Sequence, residues 1–348
     1  MSGGPDGDVA GNQILNLYRL YPRTAKLVAL TDGTGTIHEP AGLDLSALAE
    51  LFRLGQGIHK YPPERLGEGA FLVDKLKKRS QTAYIQQTLC LRKVNGALQE
   101  EWLGGSEVNH LLRHNLHSTP ADIFVPAGGR PRTLNQSNWT DFLDSRGTPT
   151  ARAIVEGANL YLDDTARSRL EAKGTLIIKD SSANKAGVIC SSYEALVGLV
   201  LTEEEFKSVK ETLIAEILEI VKSFARKEAH LLLSTYTATG EPLTAISERI
   251  SQRINKFSYE ILDYLEKKSL PLDSAHPLIQ TYLSHCPPTL AKNWQKALLD
   301  RVPEQHIKAI ISCRLASQIV YNKGLSWEPT IVDALPSLAS LEIKQSQS

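Results

Sequence analysis

The sequence predicts an α/β fold: a doubly wound, parallel sheet covered by helices and followed by a helical C-terminal region. Three observations predict it. Short apolar runs alternate with segments of helical periodicity up to about residue 200, the pattern that specifies a parallel sheet with crossover helices. Three of those runs, ADIFVPAGG, ARAIVEGAN and GTLIIKDSSAN, end alike, in small or polar residues. After about Thr202 the short runs stop and the apolar spacing becomes helical throughout.

The elements follow in order. MSGGPDGDVAGN places four glycines in the first eleven residues, and residues 8–20 then carry Val9, Ile14, Leu17 and Tyr18 at helical spacing. KLVALTD (26–32) reads as a buried strand ending in an acid, stopped by Gly33 and Gly35, and LSALAELFRL (45–54) returns to a helix. TAYIQQTLCLRKV and ALQEEWL flank Asn95 and Gly96, the strongest two-residue hairpin signal. They predict an inserted β-hairpin over about 80–105 on the sheet edge. The strands of the three similar runs are separated by two short helices, WTDFLDS and DDTARSRLEAKG, the second closed by Gly174. From Thr202 a long helix begins, with Thr202 as N-cap and Glu205 at the capping-box position. LTAISERISQRINKFSYEILDYLEKK, AKNWQKALLDRV and PEQHIKAIISCRLASQIVYNKG read as further helices, the last opened by Pro303 and stopped by Gly324. This divides the chain into a sheet domain over 1–200 and a helical region over 201–348.

Composition excludes several classes. Of the 348 residues, 39 are basic and 39 acidic, so no net field draws nucleic acid or anionic lipid. No apolar run approaches the ~20 residues of a bilayer span, and no secretory signal opens the chain. Cys90, Cys190, Cys286 and Cys313 form no CxxC pair, which favours free thiols and a cytoplasmic setting. His110, His114 and His117 could share a helix face, but no Cys or acid completes a zinc shell beside them. The basic run Lys75, Lys77, Lys78 and Arg79 reads as a solvated face.

The candidate site begins at the glycine loop. Glycines there let backbone approach a phosphate, and the following helix N-terminus supplies N–H donors. Such a loop normally follows a buried strand, yet only Met1 and Ser2 precede it, so the first strand is expected to be missing. Asp32, at the end of the next strand, is placed to accept hydrogen bonds from a ribose, and its charge would repel the 2′-phosphate of NADP. The loop departs from GxGxxG at Pro5 and Ala10. PAGG (126–129), EGAN (156–159) and DSSANKAGV (180–188) then lie at strand ends, where open α/β sheets bind ligands. Together these describe a Rossmann-like cofactor crevice. The residues alone leave NAD open against S-adenosylmethionine, whose methyltransferases also use a glycine loop and a strand-end acid.

GGPDGDVAGN, LVALTDGTGTIHEPAGLD, ADIFVPAGGRPRTLN, IVEGANLYLDDTAR, LIIKDSSANKAGVICSSYEAL and RVPEQHIKAIISCRLASQIVYNKG, in that order from residue 3 to about 324, resemble the C-terminal, cofactor-binding half of a large-type NAD-dependent glutamate dehydrogenase of the glutamate/leucine/phenylalanine/valine dehydrogenase superfamily. The resemblance implies reversible oxidative deamination of L-glutamate to 2-oxoglutarate and ammonia, with NAD as hydride acceptor. It assigns the pyrophosphate to Gly4, Gly7 and Asp8 and the adenosine ribose to Asp32. Pro126, Ala127 and Gly128 would lie along the cofactor, Asn159 and Asn184 would reach the nicotinamide end, and Ser191 would meet the substrate's side-chain carboxylate. The family's general-base lysine lies in a glycine-rich segment of a substrate domain, and nothing in residues 1–348 matches it. Lys185 is already part of the large-type motif and is a poor substitute base. The chain is therefore expected to be the cofactor-binding part, inactive alone, working as a homo-oligomer or with an upstream substrate-domain polypeptide. The rival is a non-catalytic NAD-binding module.

Overall fold

A computed structural model describes residues 1–80, 86–271 and 273–338. The chain forms two compact units, Met1–Asn184 and Lys185–Ser348.

In the first unit the chain opens in the sheet. Ser2 bridges Thr31 on one side and Pro126 on the other, both in parallel sense. The Met1 ammonium donates to Ala29 O at 2.7 Å, Thr31 N donates to Met1 O, Gly3 N to Thr31 O, and Ser2 N to Val125 O. Residues 1–3 thus occupy the central strand position that the glycine loop requires. The chain then turns into α1 (Asp8–Leu20) and crosses to β1 (Ala29–Thr31). Beyond β1 the sheet continues antiparallel through β2 (Gly35–His38), β3 (Phe71–Ser80), β4 (Gln86–Val94) and β5 (Ala97–Leu103), with α2 (Leu45–Arg53) between β2 and β3 and α3 (Gly105–Arg113) after β5. On the opposite side of the stub lie β6 (Ala121–Phe124), β7 (Ala151–Val155) and β8 (Leu176–Ile178), all parallel, with α4 (Asp164–Glu171) leading into β8 and α5 (Asp180–Ala183) following it.

The expected hairpin is β4 and β5, turning at Asn95 (φ 50°) and Gly96 (φ 74°), the left-handed pair that a two-residue hairpin demands. Its beginning, residues 81–85, lies outside the described residues. The antiparallel part is larger than expected: β2 and β3 join the hairpin to β1. The basic run forms the exposed outer half of β3.

Several apolar clusters hold this unit's sheet to its helices. Ile14, Leu30, Ile37, Leu48 and Leu72 meet between α1, α2 and the β1–β3 strands. Phe124, Leu134, Ile154, Tyr161 and Ile177 meet under β6–β8. Each such fully buried side chain contributes about 1.5–3 kcal/mol.

The second unit is helical: α6 (Ala186–Val200), α7 (Glu203–Thr239), α8 (Leu243–Glu266), α9 (Pro277–His285), α10 (Pro288–Asn293), α11 (Gln295–Asp300), α12 (Glu304–Lys323) and α13 (Ile331–Leu338). The capping box of α7 forms as the sequence predicts: Glu205 N donates to Thr202 Oγ1 at 3.3 Å and Thr202 N to Glu205 Oε2 at 2.8 Å. Trp294 Nε1 adds a bond to Glu205 Oε1 and ends α10, so the segment read as one helix is two. Phe257, Ile261, Tyr282, Leu298 and Ile311 lie in one core of α8, α9, α11 and α12. Among the described residues no helix is long and apolar enough to cross a membrane.

Candidate functional site

The stub of residues 1–3 lies where the chain order of the sheet reverses. One connection leaves through α1 to β1, and a later one arrives at β6 on the other flank. Ligands of open α/β sheets bind beyond the strand ends at such a point. The glycine loop is there, and its backbone contacts explain the glycines. Gly3 has φ +88°, and a Cβ on Gly128 would lie 2.9 Å from its Cα. A Cβ on Gly4 would overlap the carboxylate of Asp32. Gly7 is the N-cap of α1 and makes no side-chain cap, so the first amides of that helix, beginning at the exposed Asp8, are left to other acceptors. Pro5 takes a buried place in the turn without disturbing the ladder, because Gly3 N and Ser2 N make the required bonds on either side.

Asp32 is held rigidly. Its Oδ1 accepts from Thr34 N at 2.6 Å, Thr34 Oγ1 at 2.7 Å and Gly35 N at 3.0 Å. Its Oδ2 accepts from Ile58 N at 2.9 Å and lies beside Gly4 and Gly57. Oδ1 is saturated, while Oδ2 retains acceptor capacity. The 55–58 turn that supplies Ile58 N was not among the sequence candidates. Its signal was Gly55 and Gly57: Gly55 is at φ +62°, and a Cβ on Gly57 would lie 2.7 Å from Thr34.

The remaining strand-end loops converge on the same edge. Ala127 N donates to Ser2 O at 3.0 Å, and Ser2 Oγ to Gly128 O at 2.5 Å. Ala158 N donates to Pro126 O at 2.7 Å, and a Cβ on Gly157 would lie 3.0 Å from Val9 of α1. Asn184, at the end of α5, donates its amide to Asn159 Oδ1. Gly4, Gly7, Asp8, Asp32, Pro126, Ala127, Gly128, Asn159 and Asn184 thus lie along one edge of the first unit.

A buried charge cluster lies under those loops. Arg167 of α4 reaches Glu156 through Nε (2.8 Å) and Nη2 (2.9 Å) and pairs with Asp180 at 3.4 Å. Burial raises the Glu156 carboxyl above its ordinary value, and the Arg167 hydrogen bonds and charge oppose that rise. Glu156 and Asp180 open two of the candidate loops, but their pairing through Arg167 was not foreseen, since charged residues spaced this way are common in solvated helices and turns.

Ser191 belongs to the second unit, exposed on α6, with its hydroxyl donating to Gly187 O at 3.0 Å. Lys185 of the same unit pairs with the buried Glu228 at 2.7 Å, whose other oxygen accepts from Tyr321. It is not the unpaired, desolvated amine that serves as a general base. The three histidines considered for zinc do not share a regular helix, because α3 ends at Arg113 and a wider π turn carries residues 114–118. His117 is buried there, and burial pushes its pKa down to about 4.

The comparisons identify the family. The sequence model of the glutamate/leucine/phenylalanine/valine dehydrogenases matches residues 1–247. The chain is 32% identical over 341 residues to glutamate dehydrogenase 2 of Dictyostelium discoideum, covering 93% of this chain and 30% of that protein. It is 32% identical over 341 residues to the probable NAD-specific glutamate dehydrogenase of Schizosaccharomyces pombe, covering 94% of this chain and 28% of that protein. It is 27% identical over 351 residues to the NAD-specific glutamate dehydrogenase of Saccharomyces cerevisiae, covering 93% and 29%. The chain spans less than a third of the length of these relatives. With a family model matched over more than half of its residues, the chain belongs to the glutamate/leucine/phenylalanine/valine dehydrogenase family.

Proposed function

We propose that this chain binds NAD in the crevice of its first unit and is the cofactor-binding part of a NAD-dependent glutamate dehydrogenase. The observation that carries the reading is the fixed Asp32 carboxylate packed against Gly4. A rigid anion with one oxygen free to accept suits two ribose hydroxyls and disfavours a 2′-phosphate. The uncapped N-terminus of α1 suits the pyrophosphate, met by Gly4, Gly7 and the backbone of Asp8. Pro126, Ala127 and Gly128 form the wall along the cofactor, and the Asn159 and Asn184 amides offer donors and acceptors to the nicotinamide carboxamide. When bound, NAD supplies the hydride acceptor.

Ser191 is assigned to the substrate side-chain carboxylate, L-glutamate and 2-oxoglutarate being the reactant pair. The general base comes from a substrate-domain polypeptide, and the working assembly is a homo-oligomer or a complex with that polypeptide, in the cytoplasm. Titration calorimetry of the 348-residue chain tests the reading. NAD is expected to bind, with NADP much weaker and S-adenosylmethionine silent, and glutamate oxidation is expected to be absent. Binding of S-adenosylmethionine without NAD would overturn the cofactor assignment. Turnover of glutamate by the chain alone would overturn the division of labour.

A further inference from the structure

We propose that Arg167 is a positioning residue for the nicotinamide end of the site, clasping the loop that carries Asn159 to the loop that carries Asn184. The proposal rests on the NAD reading and deepens it. Glu156 opens the EGAN loop and is fully buried. Asp180 opens the segment that ends in Asn184 and is 6% exposed. Arg167, 4% exposed, lies between them, with two nitrogens on Glu156 and one of these also facing Asp180. Its third nitrogen reaches Asp164 on the protein surface at 2.8 Å.

The far oxygen of Asp180 completes the clasp. It accepts from Leu160 N at 2.8 Å, and Leu160 has φ 56°. A leucine in the left-handed region is strained, and it persists only where its surroundings hold it. It immediately follows Asn159, so the orientation of that amide depends on a backbone turn held by Asp180, which Arg167 holds in turn. The two amides at the tips then bond to each other.

Stability alone is a weak reason for such a cluster, because well-packed apolar side chains often do as well as a buried ion pair. The planar guanidinium fork supplies geometry: two directed hydrogen bonds fix Glu156, and the same Nη2 faces Asp180, so one group sets the place of two loops. Lysine would keep the charge and lose the fork.

The test compares NAD with ADP-ribose, which lacks only the nicotinamide, by calorimetry on the 348-residue chain and on Arg167→Lys and Glu156→Gln. Both variants are expected to bind ADP-ribose as the parent does and NAD about tenfold more weakly. An equal loss of both ligands in both variants, or a lost fold in both, would assign Arg167 to the architecture alone and overturn the proposal. An unchanged ratio would do the same. If the parent chain binds neither ligand, the cofactor reading itself fails and this proposal with it. Parent binding with an unchanged variant ratio defeats only the role of Arg167.

Discussion

One oxygen of Asp32 accepts from three donors of its own loop and the other from Ile58 N, so this residue holds together the loops around it. Asp32→Ala leaves the Thr34, Gly35 and Ile58 amides without their acceptor, and water reaches the half-buried position only in part. We expect a loss of about 1–3 kcal/mol in urea unfolding, with NAD and ADP-ribose weakened alike because both carry the adenosine ribose. A variant that lost NAD but kept ADP-ribose would contradict this. Gly4→Ala acts at the same point from the other side. Its Cβ would overlap the Asp32 carboxylate, which is pinned and cannot move aside, so cofactor binding should fall at least tenfold while far-UV circular dichroism stays that of the parent. The sequence singled out Asp32 and the glycine loop through spacing, and the fold brings the two together. The partners of Asp32 were not legible, since Ile58 N is a backbone group on a turn 26 residues away.

The elements read most faithfully were those whose ends carry their own chemistry. Asn95 and Gly96 turned the hairpin, Gly174 (φ 92°) followed α4, and Thr202 with Glu205 opened α7. Thr202→Ala should cost about 1 kcal/mol in chemical denaturation; no change would show that the Trp294 bond to Glu205 suffices to start α7. Elements without local punctuation were missed. β2 has only four residues, and the outer end of β3 is basic because it faces solvent. The segment of α9 lay inside a stretch rich in proline and histidine, although His276 caps it through Leu278 N. The Glu156–Arg167–Asp180 cluster was invisible for another reason: burial of charge is a tertiary fact, and only the fold brings the end of β7, a face of α4 and the start of α5 together. Removing its centre is a severe change. Arg167→Met leaves two buried carboxylates facing each other, and we expect a loss of about 3–5 kcal/mol, measurable as a lowered urea midpoint.

Across the whole molecule, two histidines, His117 buried and His285 half-buried, link folding to acid. His117 in the first unit and His285 in the second are each pushed down to about 4 by burial. Both ring nitrogens of His117 and the Nδ1 of His285 lack hydrogen-bond partners among the described residues, and His285 stacks on Tyr193 at 5.2 Å. Folding keeps both rings neutral, whereas the unfolded chain protonates them near the usual value of about 6.5. Their stability contribution is therefore complete above about pH 6.5 and falls as pH drops towards 4, by roughly 1.4 kcal/mol per pH unit for each ring. Urea midpoints between pH 7 and 4.5 should show this loss, and His117→Leu should flatten it. An equally steep profile in that variant would assign the acid sensitivity to the carboxylates. At this scale the sequence predicted the α/β class, the helical second part and the edge hairpin. It did not reveal that residues 1–3 bridge two sheets, because a three-residue stub has no periodicity to read.

The central claim is that one edge of the first unit, from the glycine loop to Asn184, is an NAD site. Amide hydrogen–deuterium exchange of the 348-residue chain with and without saturating NAD tests it most directly. The account predicts slowed exchange confined to residues 3–10, 31–35, 56–59, 126–129, 157–160 and 181–185, with ADP-ribose reproducing all but the last two segments. Protection elsewhere, or none at the glycine loop, would contradict it.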